Sequence, residues 1–218
     1  MNTIEKMEDF FTARTDGYDE HMLNEVAGCK EAYVKMAELV PDKTESLLDL
    51  GCGTGLELQW IFKRFPNVSV TGIDLTKAML DRLAEKFRDK NITLINGDYF
   101  SADLGKDNFD TAVSFQTMHH FSHEMKTALY RRIYGCLKSG GAYIECDYMV
   151  ETEEEEDHFY AENARIRKEL NIPENEFYHY DTPCTVNNQI GMLLTAGFMS
   201  AESVFKSGST NLIIAKKD

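Results

Sequence analysis

The chain is poor in the features that mark secreted, membrane-spanning or nucleic-acid-binding proteins. Its five cysteines, Cys29, Cys52, Cys136, Cys146 and Cys184, are odd in number, widely spaced and without a Cys-x-x-Cys pair. That argues against a disulfide framework or a zinc knuckle and fits free thiols in a cytoplasmic protein. No stretch approaches the ~18 apolar residues of a membrane span, and residues 1–6 lack the basic-then-apolar order of a secretory signal. Basic residues are also short: 23 Lys and Arg against 37 Asp and Glu give a formal net charge of -14. Neutralising phosphates requires a basic surface, and the lysines and arginines here are spread along predicted helices, so no nucleic-acid partner is expected. Only four prolines interrupt 218 residues. Two of them, Pro41 and Pro66, fall where helical patterns stop.

What remains is an ordinary globular composition, 43% hydrophobic and 28% charged, with enough chain for one sizeable core. Its centre is Leu47-Leu48-Asp49-Leu50-Gly51-Cys52-Gly53-Thr54-Gly55-Leu56. The apolar run has the length of a buried parallel strand, and Leu56, Trp60 and Ile61 then recur at helical spacing. Alternating glycines between them allow a sharp turn and a close backbone approach. Amides at the helix start then face whatever occupies the turn. A nicotinamide or flavin fingerprint would place Gly at the sixth position of the turn, where this chain has Leu56.

Three further strand ends follow. Val68 to Asp74 alternates as a strand and ends in a carboxylate about 20 residues past the glycines, which in a parallel sheet shares their crevice. Asp74 there can accept both hydroxyls of a ribose; it can equally cap the helix from Thr76, and the two roles are compatible. Ile92 to Asn96 is followed by Gly97-Asp98-Tyr99, where Asp98 is a ligand candidate or a turn residue. Phe109 to Phe115 runs into Gln116-Thr117-Met118-His119-His120. His119, His120, His123 and Glu124 were candidate metal ligands, but no third ligand spacing supports a site and no water-activating Glu separates the histidines, so no metal is expected. One His is expected to fix the turn and the other to face substrate; His119 is the candidate for the second.

The helix from Glu124 to Leu137 is expected to stop at Lys138-Ser139-Gly140-Gly141. Alternation in the next strand puts Tyr143, Glu145, Asp147 and Met149 on one side, and Glu145 or Asp147 is expected to open into the crevice, since a buried acid needs pairing or solvation. The acidic run Glu151 to Asp157 suits a solvated helix N-terminus. The loop 171–184, with Tyr178-His179-Tyr180-Asp181-Thr182, suits either substrate selection or plain packing. Val186, Ile190, Leu193 and Leu194 form a last helical stripe, and Ala201 to Lys206 and Asn211 to Lys216 make a closing hairpin. Residues 4–40 read as helices ahead of the first strand: packing for one sheet face, or a lid over the glycine turn.

Asp49 with Gly51, Gly53 and Gly55 resembles motif I of the class I S-adenosylmethionine (SAM) methyltransferases. Asp74-x-Thr76-x-x-Met79-Leu80, Gly97-Asp98-Tyr99, Ser114 with its His-containing turn, and Leu137-Lys138-x-Gly140-Gly141 resemble that family's later motifs. Phe11 to Asp19 resembles its aromatic and Tyr-Asp lead-in. The resemblance covers residues 44–149 by motif and most of the rest by topology, and is nearest to the small-molecule group that includes ubiquinone and menaquinone biosynthesis enzymes. It implies one α/β domain with a Rossmann-like, doubly wound, seven-stranded sheet, mostly parallel, with an antiparallel C-terminal hairpin strand. It further implies residues 1–40 as a lid and 150–185 as an insertion capping the substrate.

On this resemblance SAM is the cofactor. The backbone Gly51, Cys52, Gly53 and Gly55 would hold its methionine portion beside Asp49; Asp74 and Leu75 would hold the ribose; Met79, Asp98 and Tyr99 the adenine. Ser114 and Phe115 would also contact the cofactor, and Arg14 or Tyr18 would close from above. The implied activity is methyl transfer to a small-molecule acceptor, with no nucleic acid or membrane involved, by a cytoplasmic monomer or homodimer. His119 would be the base for a protonated acceptor. A SAM-binding module without transferase activity is the alternative. A nicotinamide oxidoreductase is disfavoured by Leu56 and by the terminal hairpin.

Overall fold

Three short helices, α1 (Met7–Arg14), α2 (Tyr18–Asn24) and α3 (Cys29–Leu39), precede the first strand, β1 (Ser46–Leu50). Leu47, Leu48 and Leu50 are all fully buried, because a central parallel strand is covered on both faces. Helices and strands then alternate through α4 (Leu56–Arg64), β2 (Ser69–Asp74), α5 (Lys77–Lys86), β3 (Ile92–Asn96), β4 (Phe109–Phe115), α6 (His123–Cys136) and β5 (Leu137–Val150). The remainder comprises α7 (Glu153–Glu169), the two-residue β6 (Cys184–Thr185), α8 (Val186–Ala196), β7 (Ser200–Ser207) and β8 (Thr210–Lys216). The computed structural model describes residues 4–173 and 176–218. Residues 1–3 and, within the predicted substrate-selecting loop, 174 and 175 lie outside the described residues.

The strands lie in the order β3-β2-β1-β4-β5-β8-β7. The first five are parallel, and β8 runs antiparallel between β5 and β7. The seven-stranded path and the inserted last strand match the expectation. The eighth strand, β6, pairs with Met149 and Val150 at the end of β5 and is too short to carry a sequence pattern. Strand order reverses between β1 and β4, and ligands in such sheets bind outside the strand ends at that point. Cores form on both faces: Tyr33 of α3 stacks on Phe115 at 3.8 Å in one, and Tyr130, Leu193 and Phe198 belong to the other. Among the described residues, no helix is long and apolar enough to cross a membrane.

Two local expectations are met only in part. The helix expected to end at Leu137 ends at Cys136, but Lys138 to Gly141, read as its stop, form an irregular stretch of β5 opposite Phe109 to Thr111. Gly141 permits it, since a Cβ there would lie 2.8 Å from the Lys138 carbonyl oxygen. Glu145 does not open into the crevice. It is fully buried and accepts from the Tyr130 and Tyr143 hydroxyls at 2.8 and 2.9 Å and from Gln189, so an interior carboxyl is satisfied by protein donors. One member of the acidic run also departs from a solvated face: Glu156 is buried and accepts from the Thr185 amide and the Asn188 side chain. The rest caps α7, where Thr152 and Glu155 form a reciprocal capping box.

Candidate functional site

The glycine turn is held by its neighbours on three sides. Gly51 has φ +71°, and a Cβ on it would lie 2.6 Å from Thr117 Oγ1, so the turn and the loop after β4 approach at a distance only glycine permits. The Gly53 amide donates to Asp74 Oδ2 at 2.8 Å, and the Thr76 amide donates to Asp74 Oδ1 at 2.7 Å. One carboxylate thereby ties the turn after β1 to the start of α5. From above, the Thr54 hydroxyl donates to Asp19 Oδ1 at 2.5 Å, which fastens α2 onto the same turn.

Tyr18, Gly51, Gly53, Asp74, Leu75, Met79, Asp98, Tyr99 and Phe115 all line one cleft. Asp74 and Asp98 therefore border the same space. Asp98 also closes its own turn, accepting from the Ser101 amide at 2.8 Å and the Ser101 hydroxyl at 2.6 Å, which is the turn role weighed for it. The cleft is nearly shut, at ≈ 60 Å³, with Met7, Phe11 and Phe177 among its walls. Cavities that enclose a drug-sized ligand run to ~300 Å³ or more, so admitting a nucleoside requires these side chains to move outward. Phe177 carried no sequence signal, being brought in by the distant insertion. Gln116 and Thr117 were legible as the loop leaving β4, and Gln116 adopts φ +52°, rare for a residue other than glycine.

Five expected cofactor residues lie off the cleft. Arg14 pairs with Glu5 at 2.9 Å, covers the Phe10 ring and faces a second chamber. Cys52 is buried against Gly72, and Gly55 meets Phe87 and Leu83 where α4 begins. Ser114 is buried in a hydrogen bond with the Tyr143 hydroxyl at 2.7 Å. Asp49 lies fully buried behind the turn beside Glu57, and both Asp49 oxygens and Glu57 Oε1 lack hydrogen-bond partners. Burial and the adjacent Glu57 push the Asp49 carboxyl far above its usual range, and burial raises Glu57 to about 7. The pair thus retains a proton near neutrality.

The second chamber, ≈ 760 Å³, shares Phe11, Tyr18 and Gln116 with the cleft and continues to His119, His120 and Tyr148. His119 Nδ1 lies 2.5 Å from Asp147 Oδ1, both residues being buried, which leaves Nε2 facing the chamber. Burial lowers the His119 pKa, but Asp147 outweighs it and the net shift is upward. The insertion reaches this turn: the Thr182 amide and hydroxyl donate to the His119 carbonyl at 2.5 and 3.1 Å. It also meets the N-terminal segment, through a Lys6–Tyr178 bridge and His179 stacked on Phe10 at 3.4 Å. His123, four residues from His119, points elsewhere, with Nε2 2.6 Å from Glu156.

Comparison with known proteins agrees with this geometry. A family model described as a methyltransferase domain matches residues 47–141, from β1 to the irregular start of β5. Residues 47–141 are thus similar to a methyltransferase domain. A methyltransferase of Mycobacterium tuberculosis is 34% identical over 112 residues, covering 51% of this chain and 55% of that protein. The chain thus spans about half the length of the curated relatives first matched. A candidate O-methyltransferase of Nostoc punctiforme superposes with a TM-score of 0.73 at 19% identity, over 100% of this chain and 64% of that one. Human N-acetylserotonin methyltransferase, solved with SAM, gives 0.64 at 17% over 95% and 55%. At those identities the likeness is one of methyltransferase fold. Asp74, at the wall of the cleft, fits a ligand carrying hydroxyls, as SAM does.

Proposed function

We propose that the chain transfers a methyl group from SAM to a small-molecule acceptor. The observation that carries this reading is the convergence of the glycine turn, Asp74 and Asp98 on one cleft that adjoins a second, larger chamber. In this reading the amides of Gly51 and Gly53, with Asp49 and Glu57 behind them, hold the methionine end, Asp74 the ribose, and Met79, Asp98 and Tyr99 the adenine. Tyr18 and Phe11, at the junction of the two cavities, bring the acceptor in line with the methyl group. SAM supplies a methyl already activated as a sulfonium. The chain's own tasks are then alignment and exclusion of water. His119, oriented by Asp147, offers its Nε2 lone pair to the acceptor and is the base for a protonated oxygen, carbon or nitrogen.

The N-terminal helices act as a lid in this proposal and the 150–185 insertion as a cap. Their hydrogen bonds to one another support a joint movement, and the narrow cleft requires one. The acceptor is proposed to be soluble, with neither nucleic acid nor membrane as partner and the protein a cytoplasmic monomer or homodimer. The buried, unpaired cysteines accord with a reducing compartment. The test is a thermal-shift screen of candidate acceptors in the presence of S-adenosylhomocysteine, followed by incubation of each hit with methyl-labelled SAM. Label appearing in a hit supports the reading. Binding of SAM without transfer to any binding acceptor would favour a non-catalytic SAM module.

A further inference from the structure

Four side chains at the wall of the second chamber form a group that neither the methyl donor nor the lid explains. Asp181 Oδ1 is buried and has no hydrogen-bond partner. Around it lie His120 Nδ1 at 3.4 Å, His119 Nε2 at 3.6 Å and His179 Nε2 at 3.9 Å. These separations are too long for hydrogen bonds, which bring N and O to ~2.7–3.2 Å. They are instead the separations of atoms that share a cation: with ligand bonds of ~2.1 Å, neighbouring corners of a tetrahedron lie about 3.4 Å apart. We propose that His119 Nε2, His120 Nδ1 and Asp181 Oδ1 bind a divalent transition-metal cation of the zinc type, with its open position turned to the chamber.

The supporting contacts match what such a site needs. His119 gives its other ring nitrogen to Asp147 at 2.5 Å, the carboxylate partner that orients a ligating imidazole and fixes its tautomer. His119 is otherwise held by Thr182, from the same loop as Asp181. Besides Asp181 Oδ1, the Tyr180 carbonyl lies 3.4 Å from His120 Nδ1; a bound cation would replace that long contact, with the ring proton moved to Nε2. Two imidazoles and one carboxylate suit zinc and its neighbours rather than magnesium or calcium, which take oxygen shells. His179 Nε2 stands within reach as a further nitrogen, and its ring stacks on Phe10 of α1.

The purpose of the site rests on the methyltransferase reading; its geometry does not. The chamber adjoins the cleft, so the open position would take an acceptor through an oxygen or nitrogen that can ligate: a phenol, a hydroxy acid, an amine. With a cation bound, the His119 lone pair is engaged, and acidifying the acceptor falls to the cation. Sequence spacing could not reveal this group, because His119 and His120 come from the loop after β4 and Asp181 arrives more than 60 residues later.

The test uses the full chain, stripped of metal by chelation, and titrated with Co²⁺ as the spectroscopic probe. Expected are one equivalent bound, the visible d–d bands of a four-coordinate nitrogen and oxygen site without sulfur charge transfer, and a raised melting temperature. Asp181→Asn, close in shape, should weaken Co²⁺ at least 100-fold, and Asp147→Asn, which only positions His119, by 10–100-fold. Metal-free protein should bind S-adenosylhomocysteine as before. A sulfur charge-transfer band would assign the ion to the other candidate group, His123, Glu156 and Cys184, and overturn the proposal. So would absence of binding to protein that still binds S-adenosylhomocysteine, or an Asp181→Asn protein that folds and holds Co²⁺ undiminished. Failure to bind S-adenosylhomocysteine at all would instead strike the methyltransferase reading.

Discussion

Asp74→Asn tests the site at its hinge, because the wild-type carboxylate does two separable things. Within the protein it accepts the Gly53 amide at 2.8 Å and the Thr76 amide at 2.7 Å. A hydrogen bond to a charged acceptor contributes ~1.5–3 kcal/mol and a neutral one ~0.5–1.5, so losing the charge costs about 1 kcal/mol per bond. In addition, the new NH₂ group faces one of the two amide donors. The expected loss of stability is therefore about 2 kcal/mol, which for a chain of this length lowers the melting temperature by ~4–8 °C. In the complex, two ribose hydroxyls lose the same acceptor, at about 1 kcal/mol each. That weakens S-adenosylhomocysteine by roughly thirtyfold, at ~1.4 kcal/mol per tenfold. Isothermal calorimetry well below the melting temperature separates the two effects. A destabilised variant with unchanged affinity would reduce Asp74 to a structural clamp and refute its role at the ribose.

Gly51→Ala forces a Cβ to within 2.6 Å of Thr117 Oγ1 at φ +71°. The left-handed backbone alone costs ~1–2 kcal/mol, so urea unfolding should show a loss of about 2–3 kcal/mol, with S-adenosylhomocysteine affinity falling more than tenfold. Tyr130→Phe removes one of the donors that satisfy the buried Glu145; a loss of ~1–3 kcal/mol is expected in the same assay, with little change in cofactor affinity. Acid unfolding should report Asp110. Burial works against its ionisation, but Lys138 at 2.8 Å, the Ser46 hydroxyl and two backbone amides hold its pKa down to about 2. A depressed folded pKa stabilises above the unfolded value of about 3.9, and the contribution is lost as pH falls toward 2. Asp110→Asn should therefore flatten the stability profile between about pH 4 and 2, by about 1 kcal/mol after allowance for solvent screening. A profile unchanged from wild type would contradict the shift.

The glycine turn, the carboxylates ending β2 and β3 and the order of the strands were legible because each follows from a local rule: apolar runs bury, glycines turn, and parallel strand ends share a crevice. What lay beyond reach was decided by partners distant in sequence. Glu145 looked like a site residue because alternation gives a side chain's face but not its donors, and Tyr130 and Gln189 come from two other helices. Ser114 and Cys52 occupy family positions yet are taken up by packing, against the Tyr143 hydroxyl and Gly72. The Lys138 to Gly141 stretch reads as a helix stop by composition. Its Lys is claimed by Asp110 and Ser46 on neighbouring strands, which draws it into the sheet. Asp147 was seen as one of two acids, and only the folded turn selects it as the partner of His119. The loop 171–184 left its two roles open; Thr182 and Asp181 show it folded against the histidine turn.

In the proposed function, the ends of β1, β2 and β3 hold an adenosyl sulfonium compound. Calorimetric titration of the wild-type chain with S-adenosylhomocysteine, with NAD as the counter-ligand, addresses it most directly. One site per chain for S-adenosylhomocysteine and no heat from NAD is the predicted result. A folded protein that ignores S-adenosylhomocysteine at millimolar concentration, or that takes NAD in its place, would contradict it.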